Sequence, residues 1–340
     1  MDQAGGKYYD SGMYGCIFTG RLLCKDGKPV GNPTKGRPLT KIQPKQDAIQ
    51  EYQIATVIRK IPQWRQYFAV AEAICEPAVQ QTEKELDRCE LLDGAEMSDL
   101  RILSMTHRGV PLHRYAFPLR QGFEFGRFAQ HLIEAGAILG LYGVVHRDMN
   151  RGNILVDPHM VPRIIDFGLS VRVKGTTADD LRHGMSFTIT QEPLDSVLVN
   201  GVAVGYQIPK IIAAILTKKT TLGVLQTVLG MPRAKMEEEL WAYAERTEVQ
   251  AGDLDTWFET SWKGIDSWAI GVALTETIQK LSVWPEFSWD KARWIPVLRQ
   301  MCAINPMKRI SCLRALQILQ PTHMILRTRG GADEPATQML

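Results

Sequence analysis

The chain has 340 residues, 45% of them hydrophobic and 23% charged, an ordinary globular composition that excludes a disordered or fibrous protein. At about 100–200 residues per domain the length is one or two domains, with ample chain for a sizeable core. Forty Lys and Arg against 37 Asp and Glu leave a net charge of +3, too balanced for a dedicated nucleic-acid-binding surface.

The first hundred residues alternate short β-rich runs, at 14–23, 67–75 and 100–105, with one helical stretch near 47–60. Residues 24–38 are rich in Gly, Pro and Lys and predict an exposed hairpin or loop. A second polar interruption at 80–99 is rich in Glu and Asp and is expected at the surface. From about Val110 the texture turns helical. Phe128, Leu132, Ala135 and Leu139 share one helical face ending at Gly143. Ile208, Ile211, Ile212, Ile215 and Leu216 repeat the pattern, with Pro209 tolerated in a first turn. Ile265, Trp268, Ala269, Val272 and Ala273 predict a buried helix. From Arg329 the chain is polar and a frayed tail is expected.

Cys16, Cys24, Cys75, Cys89, Cys302 and Cys312 make no C-x-x-C pair, and no His cluster completes a zinc spacing. Residues 1–10 hold no apolar run, so no secretory leader is visible. The most apolar stretch, 135–145, is too short to cross a bilayer and contains Gly136, Gly140 and Gly143. The expectation is a soluble intracellular protein in a reducing compartment, with its thiols free.

Residues 144–170 read V-V-H-R-D-M-N-R-G-N-I-L-V-D-P-H-M-V-P-R-I-I-D-F-G-L-S. This resembles the protein-kinase catalytic loop H-R-D-L-x-x-x-N followed by D-F-G. The resemblance implies an α+β, bilobal kinase-like fold: a small β-rich lobe with one main helix and a larger helical lobe, divided near Gly109 with a nucleotide held between them. The domain would span 1–320, with lobes at about 1–108 and 109–320 and a tail at 321–340. By resemblance, Asp148 accepts the proton of the substrate hydroxyl, and Asn153 and Asp166 hold Mg²⁺ against the phosphates of ATP. His146 and Arg147 are scaffold residues.

Upstream, Asp10-Ser11-Gly12-Met13-Tyr14-Gly15-Cys16-Ile17 looks like the Gly-rich loop with Asp10 replacing its first glycine. Gly12 and Gly15 would let the backbone approach the phosphates and Ile17 would cover the adenine; Asp10, if turned inward, would weaken ATP binding. Pro38-Leu39-Thr40-Lys41 stands where the family has V-A-I-K, so Lys41 would grip the phosphates and pair with Glu51. That interval is short for the family, which keeps Lys45 and Glu72 as alternatives. Met105 would gate the adenine pocket, and Thr106, His107 and Arg108 would offer backbone groups to the adenine edge. Asp266-Ser267-Trp268-Ala269-Ile270-Gly271 resembles the D-x-W-x-x-G helix, whose Asp266 would brace the catalytic loop. Asn305-Pro306-Met307-Lys308-Arg309 resembles the late D-P-x-x-R pattern.

The chain also departs from the family. Asn150 stands where Ser/Thr kinases place a lysine, and the arginine pattern of tyrosine kinases is absent at Asn150 and Gly152; Arg151 is the nearby cation. There is no A-P-E, so Glu192 or Asp195 would pair with Arg309. Asp166 and Asp266 lie 100 residues apart, which implies a helical insert at about 197–254 beside the substrate groove, with a partner surface or simple lobe padding as the alternatives. Arg147 beside Asp148 implies a loop ordered by phosphorylation, with Thr176, Thr177, Ser186, Thr188 and Thr190 as available hydroxyls, or by the carboxylates of Asp179 and Asp180.

Three functions fit. The first is an ATP- and Mg²⁺-dependent protein kinase acting on a protein hydroxyl, Ser/Thr by preference, with no nucleic-acid or membrane partner. The second is a pseudokinase that binds nucleotide or scaffolds. The third is a small-molecule kinase of the aminoglycoside or choline type, against which Arg147, Phe167 and Trp268 argue. S-G-M-Y-G-C-I-F and H-R-D-M-N-R-G-N-I-L resemble the divergent kinases of large DNA viruses, which implies a host cytoplasm or a virion.

Overall fold

Strand-forming residues gather early in the chain and helix-forming ones late, and the computed structural model follows them. It describes residues 7–12, 15–31, 36–81, 86–119, 122–182 and 189–327. The tail from Arg329 and the hydroxyls of Ser186 and Thr188 lie outside those residues. The described residues are 49% helical and 15% strand, with a sheet-rich N-terminal and a helical C-terminal region, which makes the fold α+β rather than alternating α/β. Two compact units divide it: Met1–Val110 with Arg163–Ser170, and Pro111–Pro162 with Val171–Leu340.

In the first unit β1 (Tyr8–Gly12), β2 (Gly15–Thr19), β3 (Pro38–Pro44), β5 (Ala73–Cys75) and β6 (Leu100–Thr106) form an antiparallel sheet in the order β1-β2-β3-β6-β5. Side chains alternate across a strand, so register sorts them onto two faces. Cys16 stands opposite Ile42, and Ile42 opposite Ile102; with Phe18, Leu22, Val30 and Leu100 these make a dry core. Ile17, Lys41 and Leu103 oppose one another on the other face, where helix α1 (Lys45–Ile58) supplies Glu51 to Lys41. A two-residue strand β4 (Phe68–Ala69) pairs in parallel with Pro162–Ile165, Ile164 lying opposite Phe68. That pairing, and the edge contact of Phe167 on Phe68, tie the D-F-G residues into the first unit.

The dry face corrects two expectations. Cys16 is bonded to Cys89 and Cys24 to Cys75, leaving Cys302 and Cys312 as thiols. Free thiols therefore do not hold for four cysteines, and the reducing compartment they implied loses its support. Nor is 80–99 a simple surface stretch: Cys89 is fully buried, and Leu86, Leu91, Leu92, Ala95 and Met97 pack on the same core. The abundant carboxylates of this stretch masked those anchors.

In the second unit α2 (Phe125–Leu141) buries Phe128, Leu132, Ala135 and Leu139 and stops at Gly143, which takes a φ of +62°. Gly136 is demanded by packing, since a Cβ there would lie 2.6 Å from Ile270 and 2.7 Å from the Cys312 sulfur. Five helices follow one short turn, α3 (Ala178–Leu181): α4 (Leu194–Ala203), α5 (Ile208–Lys218), α6 (Thr221–Leu229), α7 (Arg233–Ala244) and α8 (Thr247–Ala251). They occupy the stretch between the D-F-G and D-x-W motifs. The long α9 (Leu254–Leu281), N-capped by Asp253, carries Ile265, Trp268, Ala269, Val272 and Ala273, all buried. Among the described residues no single helix is long and apolar enough to cross a membrane.

Candidate active site

Lys41 lies mid-strand in β3, 5% exposed, with its ammonium 2.9 Å from Glu51 Oε2 and 2.8 Å from Asp166 Oδ1. An ammonium buried this deeply persists only when paired. Burial pulls the Lys41 pKa down, but the two carboxylates outweigh it and the net shift is upward. Glu51, itself 3% exposed, also accepts from Gln43 Nε2 at 3.0 Å. Glu51 is thus the partner of Lys41. The two alternatives lie elsewhere: Lys45 is exposed at the start of α1, and Glu72 pairs with Arg65 and accepts from the Thr106 hydroxyl.

Gly12 and Gly15 close the β1–β2 pairing opposite each other. A Cβ on Gly15 would come 2.5 Å from the Ile42 carbonyl oxygen, so close approach to β3 alone demands a glycine there. Ile17 lies opposite Lys41, and Met105 opposite Leu39 on that same face. Asp10 pairs with Ile17, which puts it on the Lys41 face as well. Thr106 is buried. The His107 amide donates to the Arg37 carbonyl at 2.9 Å, so the donor that an adenine edge was expected to meet there is already used.

In the second unit the loop between strands Val144–Val145 and Ile154–Val156 carries Asp148. Asn153 Nδ2 donates to Asp148 Oδ2 (2.8 Å) and to its carbonyl (3.0 Å), and Asn150 Nδ2 donates to Asp148 Oδ1 (2.9 Å). Asn150 Oδ1 in turn accepts from the amides of Gly152 and Asn153. One amide side chain thus fixes both the loop and its carboxylate. Buried Asp266 on α9 accepts from the amides of His146 (2.8 Å) and Arg147 (3.0 Å). Burial raises its pKa, opposed by His146, by the two amides and by Arg147. Arg147 adopts φ +69° and Asp166 φ +60°, a left-handed conformation uncommon outside glycine that Gln63 and Met160 also adopt.

Arg147 donates to the carbonyls of Asp180 and Leu181 at 2.7 and 3.0 Å. The carboxylates offered as its counter-charge have other work: Asp180 caps Thr177, and Asp179 pairs with Arg182. Asp195, fully buried, meets Arg309 Nη2 at 2.7 Å, which settles the partner of that arginine, while Glu192 faces Lys219. The Trp257 indole donates to the other Asp195 oxygen, and Trp268 lies under the guanidinium.

Among the described residues no three His, Cys, Asp or Glu side chains gather as a metal cage. Mg²⁺ bound through nucleotide phosphates needs only one or two protein oxygens. Asp166 offers a half-exposed carboxylate, and Asn153, whose amide hydrogens go to Asp148, offers its carbonyl oxygen. Both are hard donors of the kind the ion prefers. Sequence reasoning missed Gln43, Asn150 as a brace, and Lys219. Only Asn150 carried a signal, its place inside the motif.

No protein-family model matches this chain, and no curated protein is significantly similar to it.

Proposed function

We propose that this chain is a divergent member of the protein-kinase superfamily that transfers the γ-phosphate of ATP to a serine or threonine hydroxyl of a protein. The observation that carries the reading is the bonding of Lys41 both to Glu51, 10 residues on, and to Asp166, 125 residues on. Such a cluster is costly to desolvate, and with one ammonium against two carboxylates it suits a phosphate ligand that brings its own divalent cation. In this reading Lys41 binds the α- and β-phosphates and Glu51 holds it in place. Asp148 orients the acceptor and takes its proton as the new O–P bond forms and the bond to the β-phosphate oxygen breaks, releasing ADP. Mg²⁺ would neutralise phosphate charge, and Asp166 in the first unit and Asn153 in the second each carry a hard oxygen of the kind that ion takes. Asp266 keeps the Asp148 loop rigid.

Transfer from ATP to a Ser/Thr peptide array is expected with the wild-type chain. Asp148→Asn should lower it about 10²–10⁴-fold, and Asp166→Ala comparably. The double variant should do little more than either single one, because the residues act as a unit. Equal transfer by the wild type and Asp148→Asn would defeat the proposal. A nucleotide-binding module without turnover is the second reading, favoured by Asp10 on the Lys41 face. Mg·ATP binding with no transfer to any acceptor would select it.

A further inference from the structure

Residues 189–192 belong to neither helix nor strand, so their carbonyls have no ladder to join and need other donors. The elbow between α5 and α6, bent by 59°, supplies them. Lys219 Nζ donates to the carbonyls of Ile189 (2.5 Å) and Glu192 (3.3 Å), and the Thr221 hydroxyl donates to that of Thr190 (3.0 Å). The Lys219 side chain is fully buried, with the Glu192 carboxylate 3.9 Å away. An apolar residue would fill an elbow at far lower desolvation cost. The segment then reaches the catalytic loop: Gln191 Nε2 donates to Glu276 Oε2 at 3.4 Å, and the same oxygen pairs with Arg151 Nε at 2.8 Å. Arg151 follows Asn150, which holds Asp148.

We propose that Lys219 is a positioning residue of the phosphoacceptor site: it clamps residues 189–192, and through Gln191, Glu276 and Arg151 that segment fixes the loop bearing Asp148. This rests on the phosphotransfer reading for its kinetics but not for its mechanics. The insert between the D-F-G and D-x-W motifs thereby gains a task inside the site, beyond lobe padding. The acceptor side depends on it. The nucleotide side, built on Lys41, Glu51 and Asp166, does not.

The test compares the wild type with Lys219→Met and with the milder Thr221→Val, which keeps shape and loses one donor. The probes are a degenerate Ser/Thr peptide pool with Mg·ATP, Mg·ADP binding by calorimetry, and amide hydrogen exchange. Lys219→Met should lower kcat/KM for the peptide about tenfold while the Kd for Mg·ADP stays within about twofold. Exchange should quicken at 189–192 and at 149–153. Thr221→Val should shift both readouts in the same direction by less, and it stands in should Lys219→Met fail to fold. Unchanged exchange at 149–153, or equal losses on the peptide and nucleotide sides, overturns the proposal. If the wild type transfers no phosphate, the kinase reading falls and the exchange arm still decides the role of Lys219.

Discussion

Each unit buries a lysine, and the two are handled in opposite ways. Lys41 sits between two carboxylates at hydrogen-bonding distance, and its pKa rises although burial opposes it. Lys219 has two carbonyls and one carboxylate at 3.9 Å, and burial wins, taking its pKa down to about 8. The first amine is held by full charges and the second by peptide carbonyls. The scaffolds differ likewise. The sheet unit is stapled by two disulfides on the face opposite Lys41, whereas the helical unit keeps Cys302 and Cys312 as buried thiols. Burial pushes the Cys302 thiol up to about 12, and that of Cys312 also upward with Asp266 adding to it, so neither is a ready nucleophile.

The largest effect expected from breaking this contrast is loss of the staples. The disulfides close loops of 73 and 51 residues, so removing each should cost roughly 2–5 kcal/mol. Reduction of the intact chain, or Cys16→Ser with Cys24→Ser, should speed amide exchange through β2, β3 and β6 and leave α2 and α9 protected. Equal loosening of the helices would show that the staples do not act locally.

The helical unit has its own weak point in a buried ion pair. Arg309→Met leaves Asp195 buried with only the Trp257 indole of its two strongest partners, and should destabilise by roughly 3–5 kcal/mol. The urea midpoint followed by tryptophan fluorescence measures it, since Trp257 and Trp268 border the pair. Protection of the β3 amides should persist at urea concentrations where the helical signal is lost.

The sequence made these two regions unequally legible. The Asp148–Asn153 loop could be read because its partners are chain neighbours, and Ile211, Ile212 and Ile215 declared their helix by period alone. The disulfides could not, because Cys16 and Cys89 meet only once the sheet exists and no spacing rule joins them. Glu51 was legible only through Lys41. Asp195 and Glu192 stood as equals until packing gave one to Arg309 and the other to Lys219. Lys219 itself, beside Lys218 and Thr220, looks like one more charge at a helix end. Its burial follows from the bend between α5 and α6, which amphipathic period does not encode.

The two lysines also predict opposite responses to alkali, a smaller effect that sharpens the contrast most directly. The raised pKa of Lys41 contributes stability that is whole below the ordinary lysine value of 10.5 and is lost only as pH climbs through its higher folded value. For Lys219 the folded pKa of about 8 lies below the unfolded 10.5. Between those values the unfolded chain binds more protons than the folded one, so the contribution of this residue to stability rises with pH. Other groups titrate nearby: the Tyr243 hydroxyl is pushed upward by burial, then by Asp195 and Glu248, and it works against the trend. Subtracting the Lys219→Met variant isolates the lysine. From pH 7 to pH 9.5 the wild type should gain on that variant by on the order of 1 kcal/mol in urea unfolding. A gap that narrows over the same range would mean that the Glu192 carboxylate, not burial, governs Lys219, and that the two lysines are alike after all.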